Sequence, residues 1–419
     1  MQLGSRAAVI AVLVAAAVLA VAVPARAQVV QLDTTHSVFY EAPTKTHMFV
    51  YSPTADVTAS PWSWIDIRGG WEADVVSGAS VAHKAGSVYG QSHTPDVVTT
   101  ASVHDFRNVG RGEIEIKGNT GTSLLAGYSY GTENDYRSNA LHVSARTDAY
   151  QHNTQFQLSY AHNFDQVCDR VQDSTLLNQP TTWQALENST GCFTSTSGRT
   201  THDIAVDTFE ASWAQSWTPV IETQLTYTAQ LVDGFQSDPY RSVIIGEGIL
   251  AQEHVPNDRA REAVTARLAY YLRSLKGALR LMVRGYHDTW AIDSFSAEAE
   301  AEKSLGENVR VMARGRIYRQ GGAVFWSDDY TGGAPPLGPR GQYFTGDREL
   351  SPFWSWLAGL RAVWSIIPEH QKIFGFIQSF KLAGSASIEG FSYDQFTLAG
   401  VPVSNAFAYL ATVSLNLGF

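Results

Sequence analysis

Apolar and polar residues alternate with a period of two along most of this chain. In the segment 65–75, isoleucine, tryptophan and valine take odd positions, and aspartate, arginine and glutamate take even positions. The same pattern returns near 113–117, 155–160, 208–217, 221–231, 295–302 and 354–364. Because side chains of a strand point alternately to its two faces, each segment predicts a strand with one apolar and one polar face. Several segments run for about ten residues or more, the length of a tilted membrane strand rather than a globular one.

Aromatic residues cluster near the ends of these segments. The clearest examples are Trp62 and Trp64, Trp213 and Trp217, and Phe353 and Trp354. Membrane barrels carry such girdles at both interfaces, and a β-sheet survives in hydrocarbon only when it closes on itself. A large soluble β-sandwich or propeller is the alternative, but the apolar faces lack the complementary inward surface that a sandwich needs. We therefore expect an all-β chain, a transmembrane antiparallel up-and-down β-barrel.

The connections between the predicted strands alternate between short and long. The predicted strands lie near 35–43, 47–58, 62–76, 106–119, 122–136, 137–150, 154–167, 202–217, 220–234, 260–273, 276–291, 292–305, 307–321, 351–366, 371–390 and 404–419. The long connections are 77–105, 168–201, 235–259, 322–350 and 391–403. Since such barrels have short periplasmic turns and long outer loops, we expect about 16 strands, with 14 as the alternative, and long extracellular loops.

Both ends of the chain carry features of an exported protein. Residues 1–27 contain Arg6, a long Ala/Val/Leu run and the small-x-small triplet Ala25-Arg26-Ala27. This pattern predicts a signal peptide cleaved near Ala27, with an uncleaved anchor as the alternative, and leaves 28–419 as a single barrel domain. The final strand alternates up to the aromatic Phe419, which looks like the insertion signal of bacterial outer-membrane barrels. We expect location in the bacterial outer membrane, with its lipid and the barrel-assembly machinery as partners.

Charge and cysteine content exclude several other classes of protein. The net charge of -10 argues against nucleic acid as a partner. Two cysteines are too few for a disulfide scaffold. Cys168 and Cys192 share one predicted outer loop, where the oxidising periplasm favours a disulfide over free thiols. No metal-ligand spacing, nucleotide-binding motif or catalytic motif stands in usable context, so we expect no metal, no cofactor and no catalytic residue.

Three neighbouring predicted strands carry charge ladders on the polar face. The first strand carries Arg280 and Arg284, the second carries Glu298, Glu300 and Glu302, and the third carries Arg310, Arg314 and Arg316. Arg267 flanks these ladders. Opposite charges that face each other across strands stabilise a sheet, so a wall of salt bridges is one interpretation. The other is a selectivity constriction, in which unpaired charges sort ions by sign; Lys381 could join it.

Several short stretches resemble a known family. They are 74–80 (DVVSGAS), 238–243 (DPYRSV), 286–290 (YHDTW) and 318–320 (YRQ), with Glu253, Pro256, Arg259 and Arg261. They are similar to a family of uncharacterised outer-membrane β-barrel proteins of Gram-negative bacteria, a domain of unknown function. The resemblance implies location and architecture and brings no activity. The Ser-Gly-Ala-Ser and Pro-Tyr-Arg stretches either fold loops inward as a plug or set tight turns.

Three functions fit these residues. A porin-like channel or transporter for small polar solutes follows from a wide barrel with a polar lumen. A structural barrel with a plugged lumen, docking a periplasmic or surface protein, is the alternative. A membrane-embedded hydrolase would need a catalytic pair such as His287 with Asp288, but neighbours on a strand face opposite sides. We therefore expect no enzyme.

Overall fold

The chain forms a closed barrel of antiparallel strands. The computed structural model describes residues 29–42, 48–78, 104–118, 120–133, 136–168, 201–238, 242–245, 249–327, 343–366, 373–398, 401–402 and 405–419. The strands are β1 (Val29–Ala42), β2 (Met48–Trp62), β3 (Ile65–Gly78), β4 (His104–Lys117), β5 (Ser123–Thr132), β6 (Tyr136–Ala149), β7 (Thr154–Cys168), β8 (Thr201–Thr218), β9 (Ile221–Gly234), β10 (Ser242–Ile245), β11 (Ile249–Gln252), β12 (Asp258–Leu272), β13 (Gly277–Asp288), β14 (Asp293–Leu305), β15 (Val309–Gln320), β16 (Phe353–Ile366), β17 (Ser379–Tyr393), β18 (Thr397–Leu398), β19 (Val401–Pro402) and β20 (Asn405–Gly418). Short 3-10 turns cover Arg273–Leu275 and Arg348–Leu350.

The ring contains sixteen strands, and the predicted barrel is confirmed. Its order is β1 to β9, then β12 to β17, then β20, while β10 pairs with β11 and β18 with β19 in separate hairpins. The strand predicted near 35–43 is present as β1 but begins earlier, at Val29. β17 begins at Ser379 rather than near 371, because Phe374 and Gly375 adopt positive φ in a turn closed by a bridge between Ile373 and Ile377.

The first and last strands close the barrel. β1 and β20 run antiparallel in register, with Thr34 opposite Leu415. The Phe419 amide donates to the Val30 carbonyl at 2.8 Å, and the Phe419 ring stacks on Phe376. Phe419 therefore lies at the seam of the ring. Its role as an insertion signal stays a prediction.

The two faces of the wall invert the pattern of a soluble protein. Large apolar side chains point outward, and Leu158 and Leu360 are 65% and 68% exposed. Acidic side chains such as Asp66 and Glu115 point inward and are buried among cationic partners. Each apolar side chain kept out of water is worth about 1.5–3 kcal/mol, so this outer surface requires lipid around it. Among the described residues, no helix is long and apolar enough to cross a membrane.

The two ends of the barrel differ in their connections. At the end that holds Val29 and Phe419, tight turns such as 63–64, 219–220 and 306–308 join the strands. The long connections leave from the opposite end, as the alternation of lengths predicted. Those after β3 and β7 lie largely outside the described residues. Parts of 235–257, 321–352 and 394–404 are described.

These three connections and the β13–β14 turn pack into one layer, which we call the rim cap. It comprises residues 253–257, 289–292, 321–327, 343–352 and 394–396. Backbone hydrogen bonds join its parts: His254 bonds Phe344, and Val324 donates to the Trp290 carbonyl at 2.9 Å. Its buried core includes Val255, Trp290, Ile292, Phe325, Trp326 and Phe396. The core also holds Ala406 of β20, an inward-facing residue, so the cap reaches into the mouth of the barrel.

Candidate solute pathway in the lumen

The strand register brings the charge ladders together on the inner face. Arg280 of β13 lies opposite Glu300 of β14, which lies opposite Arg314 of β15. Glu298 lies opposite Arg316 in the next row toward the rim. Arg310 is nearer the short-turn end, and Arg267 extends the set onto β12. All nine ladder residues therefore line one sector of the lumen, from β12 to β15.

Part of this sector is a salt-bridge wall. Arg280 bonds Glu300 and also Glu302, the latter at 2.9 Å. Arg310 lies 3.6 Å from Glu302. Charge-assisted hydrogen bonds from Arg280 join β13 to β14, and the longer Arg310–Glu302 ion pair joins β14 to β15.

Arg316 makes its ion pair elsewhere. Its guanidinium contacts Glu389 of β17 at 2.6 Å rather than Glu298, which lies opposite it. Ser355 of β16, between these strands, also donates to Glu389 at 3.0 Å. Local spacing could not reveal Glu389 as a partner, because the contact depends on the curvature of the closed wall. It leaves Glu298 without an ion pair among the described residues.

Other arginines of the ladder have no carboxylate partner. Within the described part of the chain, neither Arg284 nor Arg314 forms an ion pair, and both side chains are exposed to the lumen. Arg267 donates only to the neutral amide of Gln224, at 3.3 Å. The sector therefore combines fixed salt bridges with cations that are open to a solute.

A pocket beneath the rim cap collects several of these cations. Its volume is about 290 Å³, and we call it the arginine pocket. Its lining includes Arg259, Arg284, Arg316, Tyr286, Tyr318 and Gln320. The Nε–H groups of Arg316 and of nearby Arg261 are buried without a hydrogen-bond partner. Leaving such donors unpaired costs free energy, which other contacts of the wall must offset.

Asp288 fixes the top of this pocket to the rim cap. Its fully buried carboxylate accepts hydrogen bonds from Arg259 Nε at 2.9 Å and from the Tyr286 hydroxyl at 2.7 Å. It also accepts the backbone amides of Trp290 and Ile292, at 3.0 and 2.9 Å. The Arg259 guanidinium stacks over the Trp290 ring, with 4.0 Å to the ring centroid. This one carboxylate sets the β13–β14 turn and orients an arginine at the same time.

His287 faces the other way. Its Nδ1 lies 2.7 Å from Asp293, and both side chains are largely exposed on the outer side. The strand separates His287 from the buried Asp288, as the alternation of side chains requires. These two neighbours do not form a catalytic pair.

Two further contacts hold the cap in place. Buried Glu253 accepts from the Thr345 hydroxyl and from the Asp238 amide, both at 2.7 Å. Arg348 binds the buried carboxylate of Glu41 on β1 and lies over the Tyr393 ring.

The environment of Arg348 keeps it charged. Burial alone would lower the pKa of its guanidinium, but Tyr393, Glu41 and Glu349 outweigh that effect and raise the pKa overall. Arg348 therefore remains a permanent cation that joins the cap to β1, beside the closing seam of the barrel.

Sequence reasoning identified many of these residues without their arrangement. Glu253, Arg259, Arg261, 286–290 and 318–320 were family-like stretches scattered along the chain, and the structure brings them to one place beside the cap. Arg348 and Glu41 were missed, since no spacing links positions so far apart. Residues 79–80 and 239–241, the centres of the proposed plug or turn stretches, lie outside the described residues.

A second charged sector covers β1 to β4. Arg68 contacts Asp66, Glu113 and Glu115, and Lys117 binds Asp66 at 2.6 Å. Arg107 contacts Glu72 at 3.3 Å and Asp74 at 3.1 Å, and Arg111 binds Asp56. Here carboxylates outnumber cations, and each of these cations has an acidic partner. We call this sector the acidic arc and the β12–β15 sector the basic arc.

The predicted disulfide falls partly outside the described residues. Cys168 is fully buried at the end of β7 and is disulfide-bonded. Cys192 lies outside the described residues, so the pairing of these two cysteines stays a prediction. Among the residues that the structure describes, no group of three or more His, Cys, Asp or Glu side chains could hold a metal ion.

Comparison with known proteins decides the family. Residues 9–377 match the family described as "Protein of unknown function (DUF3570)". The chain belongs to this family. The resemblance to an uncharacterised outer-membrane barrel family is thereby confirmed. No curated protein matches the chain.

Solved structures support the DUF3570 fold as an outer-membrane barrel. A bacterial polysaccharide outer membrane secretin is similar at a TM-score of 0.50 and 9% identity, over 93% of this chain and 98% of that chain. OccK2 (OpdF) of Pseudomonas aeruginosa is similar at a TM-score of 0.42 and 7% identity, over the same shares. At 9% identity, the likeness to the secretin shows a shared fold and nothing about function.

Proposed function

We propose that this DUF3570 barrel is a channel for small polar solutes across the bacterial outer membrane. The observation that carries the proposal is the group of lumen-exposed arginines without carboxylate partners, Arg284 and Arg314 above all. A purely structural wall compensates its charges, because an unpaired charge adds self-repulsion without holding strands together. Exposed cations in a polar lumen serve a solute that passes them.

The two charged arcs strengthen this proposal. In a ring of sixteen strands, β4 and β14 lie halfway around from each other. The acidic arc therefore faces the basic arc across the lumen. Low-dielectric walls lined by one sign of charge focus the electric field, so a polar solute between the arcs is oriented as it passes.

The rim cap narrows this route without accounting for the whole lumen. Its contacts run from β12 through β17 and β20 to Glu41 of β1. The wall from β5 to β9 instead presents neutral polar pairs, such as Ser144–Ser159 and Gln224–Ser212, between single charged residues such as Arg146 and Glu210. Barrels with sixteen strands are wide enough for water unless loops fill them.

The experiment is conductance in a planar lipid bilayer. Purified, folded barrel should insert and produce discrete current steps in KCl. The fold is checked beforehand by the gel shift between unheated and boiled samples. A silent bilayer from protein that passes this check contradicts the channel.

The rim cap gives the partner-docking barrel some support as a second candidate. A cap held rigid by its own apolar core, at the end of the long outer connections, offers a defined docking site to a surface protein. A silent bilayer together with a partner that binds only when the cap is intact would favour this function.

We also propose that residues 1–27 direct export and that Phe419 guides insertion by the barrel-assembly machinery. The position of Phe419 at the closing seam supports a role in assembly. Amino-terminal sequencing of the mature protein should begin near Gln28. Phe419→Ala should reduce the amount of folded barrel in outer-membrane fractions, and an unchanged amount would contradict that role.

A further inference from the structure

We propose that the arginine pocket is a binding site for small organic carboxylates. This deepens the proposed channel by naming the class of solute, but binding at the pocket does not itself require conduction. The juxtaposition that points to it is a set of guanidinium groups beside two phenol rings, under the rim cap and open to the lumen.

The charges around the pocket leave cations available for an anion. Asp288 is already saturated by Arg259, Tyr286 and two amides. Glu389 is bound by Arg316 and Ser355. Glu349 also lines the pocket without an ion pair among the described residues, so its charge opposes an anion. Arg284 and nearby Arg261, neither of which bonds a carboxylate among the described residues, outweigh that single negative charge.

The available donors suit a carboxylate. The Arg284 guanidinium has no acidic partner in the described part of the chain, and Arg316 keeps a buried Nε–H without an acceptor. Guanidinium groups bind carboxylates through short, charge-assisted and often paired hydrogen bonds. The exposed Arg284 guanidinium can bond the carboxylate directly, and the anion would balance its charge, whereas the Arg316 Nε–H is shielded from solvent and lies out of the solute's reach.

The remainder of the lining favours a solute with a carbon skeleton. The hydroxyl of Tyr286 donates to Asp288 and that of Tyr318 to Gln320 at 2.6 Å, so both phenols are already engaged. Their rings, with Leu350 and Ile292, contribute apolar surface to the pocket. An inorganic anion gains nothing from such surface, whereas an organic acid does.

The test is a calorimetric titration of the full barrel in detergent micelles with sodium benzoate. Neutral benzamide, of the same shape, and sodium phosphate are titrated in parallel. We expect benzoate to bind at least about tenfold more tightly than benzamide, since hydrogen bonds to a charged group are the stronger ones. Equal binding of benzamide, or tighter binding of phosphate, overturns the proposal, and this comparison needs no variant.

A pair of variants localises the site. Arg284→Gln should weaken benzoate binding by about tenfold, the effect expected when one charge-assisted contact is lost. Arg111→Gln removes the same charge from the acidic arc, where Asp56 holds that arginine, and should leave benzoate affinity unchanged. Undiminished affinity in folded Arg284→Gln overturns the assignment.

The two proposals fail in distinguishable ways. Titration in micelles measures no ion flow, so normal benzoate binding with a silent bilayer rejects the channel and keeps the site. Current steps without benzoate binding reject the site and keep the channel.

Discussion

The acidic and basic arcs are built from the same residue types on the same kind of strand, yet they treat charge differently. In the acidic arc, the single cation Arg68 contacts three carboxylates, and Lys117 also binds one of these three. In the basic arc, Arg280 and Arg310 are paired in this way, whereas Arg284 and Arg314 are not.

This difference separates structure from function in one wall. Paired charges lock neighbouring strands and cancel most of their field at a distance. Unpaired charges contribute little to strand association and project their field into the lumen. In the proposed channel, the acidic arc is therefore mainly structural, and the basic arc is both structural and selective.

Removing the ion pair between Arg348 and Glu41, which joins the cap to β1, should have the largest effect. Arg348→Ala leaves the buried Glu41 carboxylate without its cation, and loss of one partner of a buried pair costs about 3–5 kcal/mol. We expect the cap to detach from β1 and the unitary conductance to rise in bilayer recordings.

A matched control for this experiment is Arg319→Ala. Arg319 pairs with Asp394 at the exposed outer rim, where such a pair is worth about 0–1 kcal/mol. Its conductance should match that of the wild type. If Arg348→Ala also conducts like the wild type, the cap does not depend on this contact.

Thermal stability should respond differently to the loss of a paired and of an unpaired arginine. Arg68→Gln removes the cation shared by three carboxylates and should cost about 1–3 kcal/mol. Arg284→Gln removes a cation without a partner and should be neutral or slightly stabilising. The temperature at which each barrel loses its unheated gel mobility measures this. A larger loss for Arg284→Gln would refute the division between the arcs.

Ion selectivity should also differ between variants of the basic arc and variants of the acidic arc. Replacing Arg284 and Arg314 together by glutamine should shift the permeability ratio toward cations by about tenfold, equivalent to about 1.4 kcal/mol. The matched pair of changes, Glu72→Gln with Glu113→Gln, should shift it the opposite way and less, because those carboxylates are ion-paired. Reversal potentials in a KCl gradient report both. If both double variants shift the permeability ratio in the same direction, the two arcs do not act on ions with opposite charge.

The smallest expected effect is that of salt. The Debye length falls from about 10 Å at 0.1 M to about 3 Å at 1 M, so the field of the unpaired arginines should weaken across the lumen. Selectivity of the wild type should therefore decline with KCl concentration, while its thermal stability changes little. If the ion selectivity does not change with KCl concentration, it does not arise from these arginines.

The barrel itself was predictable from local patterns. Strict alternation in segments such as 65–75 predicts a sheet with one apolar side, and the sequence of short and long connections placed the loops at one end. The start of β17 was less predictable, because a turn at Phe374 and Gly375 breaks a segment whose composition still suits a strand. The candidate site was only partly visible: the ladders predicted that Arg280 and Arg310 meet glutamates of the neighbouring strand, but not that Arg316 pairs with Glu389.

Residue order alone determined the period, the faces and the number of the strands, since backbone pairing and lipid contact act on each hairpin in turn. Only closure of the ring decided which charges meet. Arg316 finds Glu389, Arg348 finds Glu41, and Arg284 finds no carboxylate in the described chain, because these outcomes depend on curvature and on a loop folded into the mouth. Coulombic contacts act over a few ångströms, and distances that short between remote segments exist only after the wall has closed.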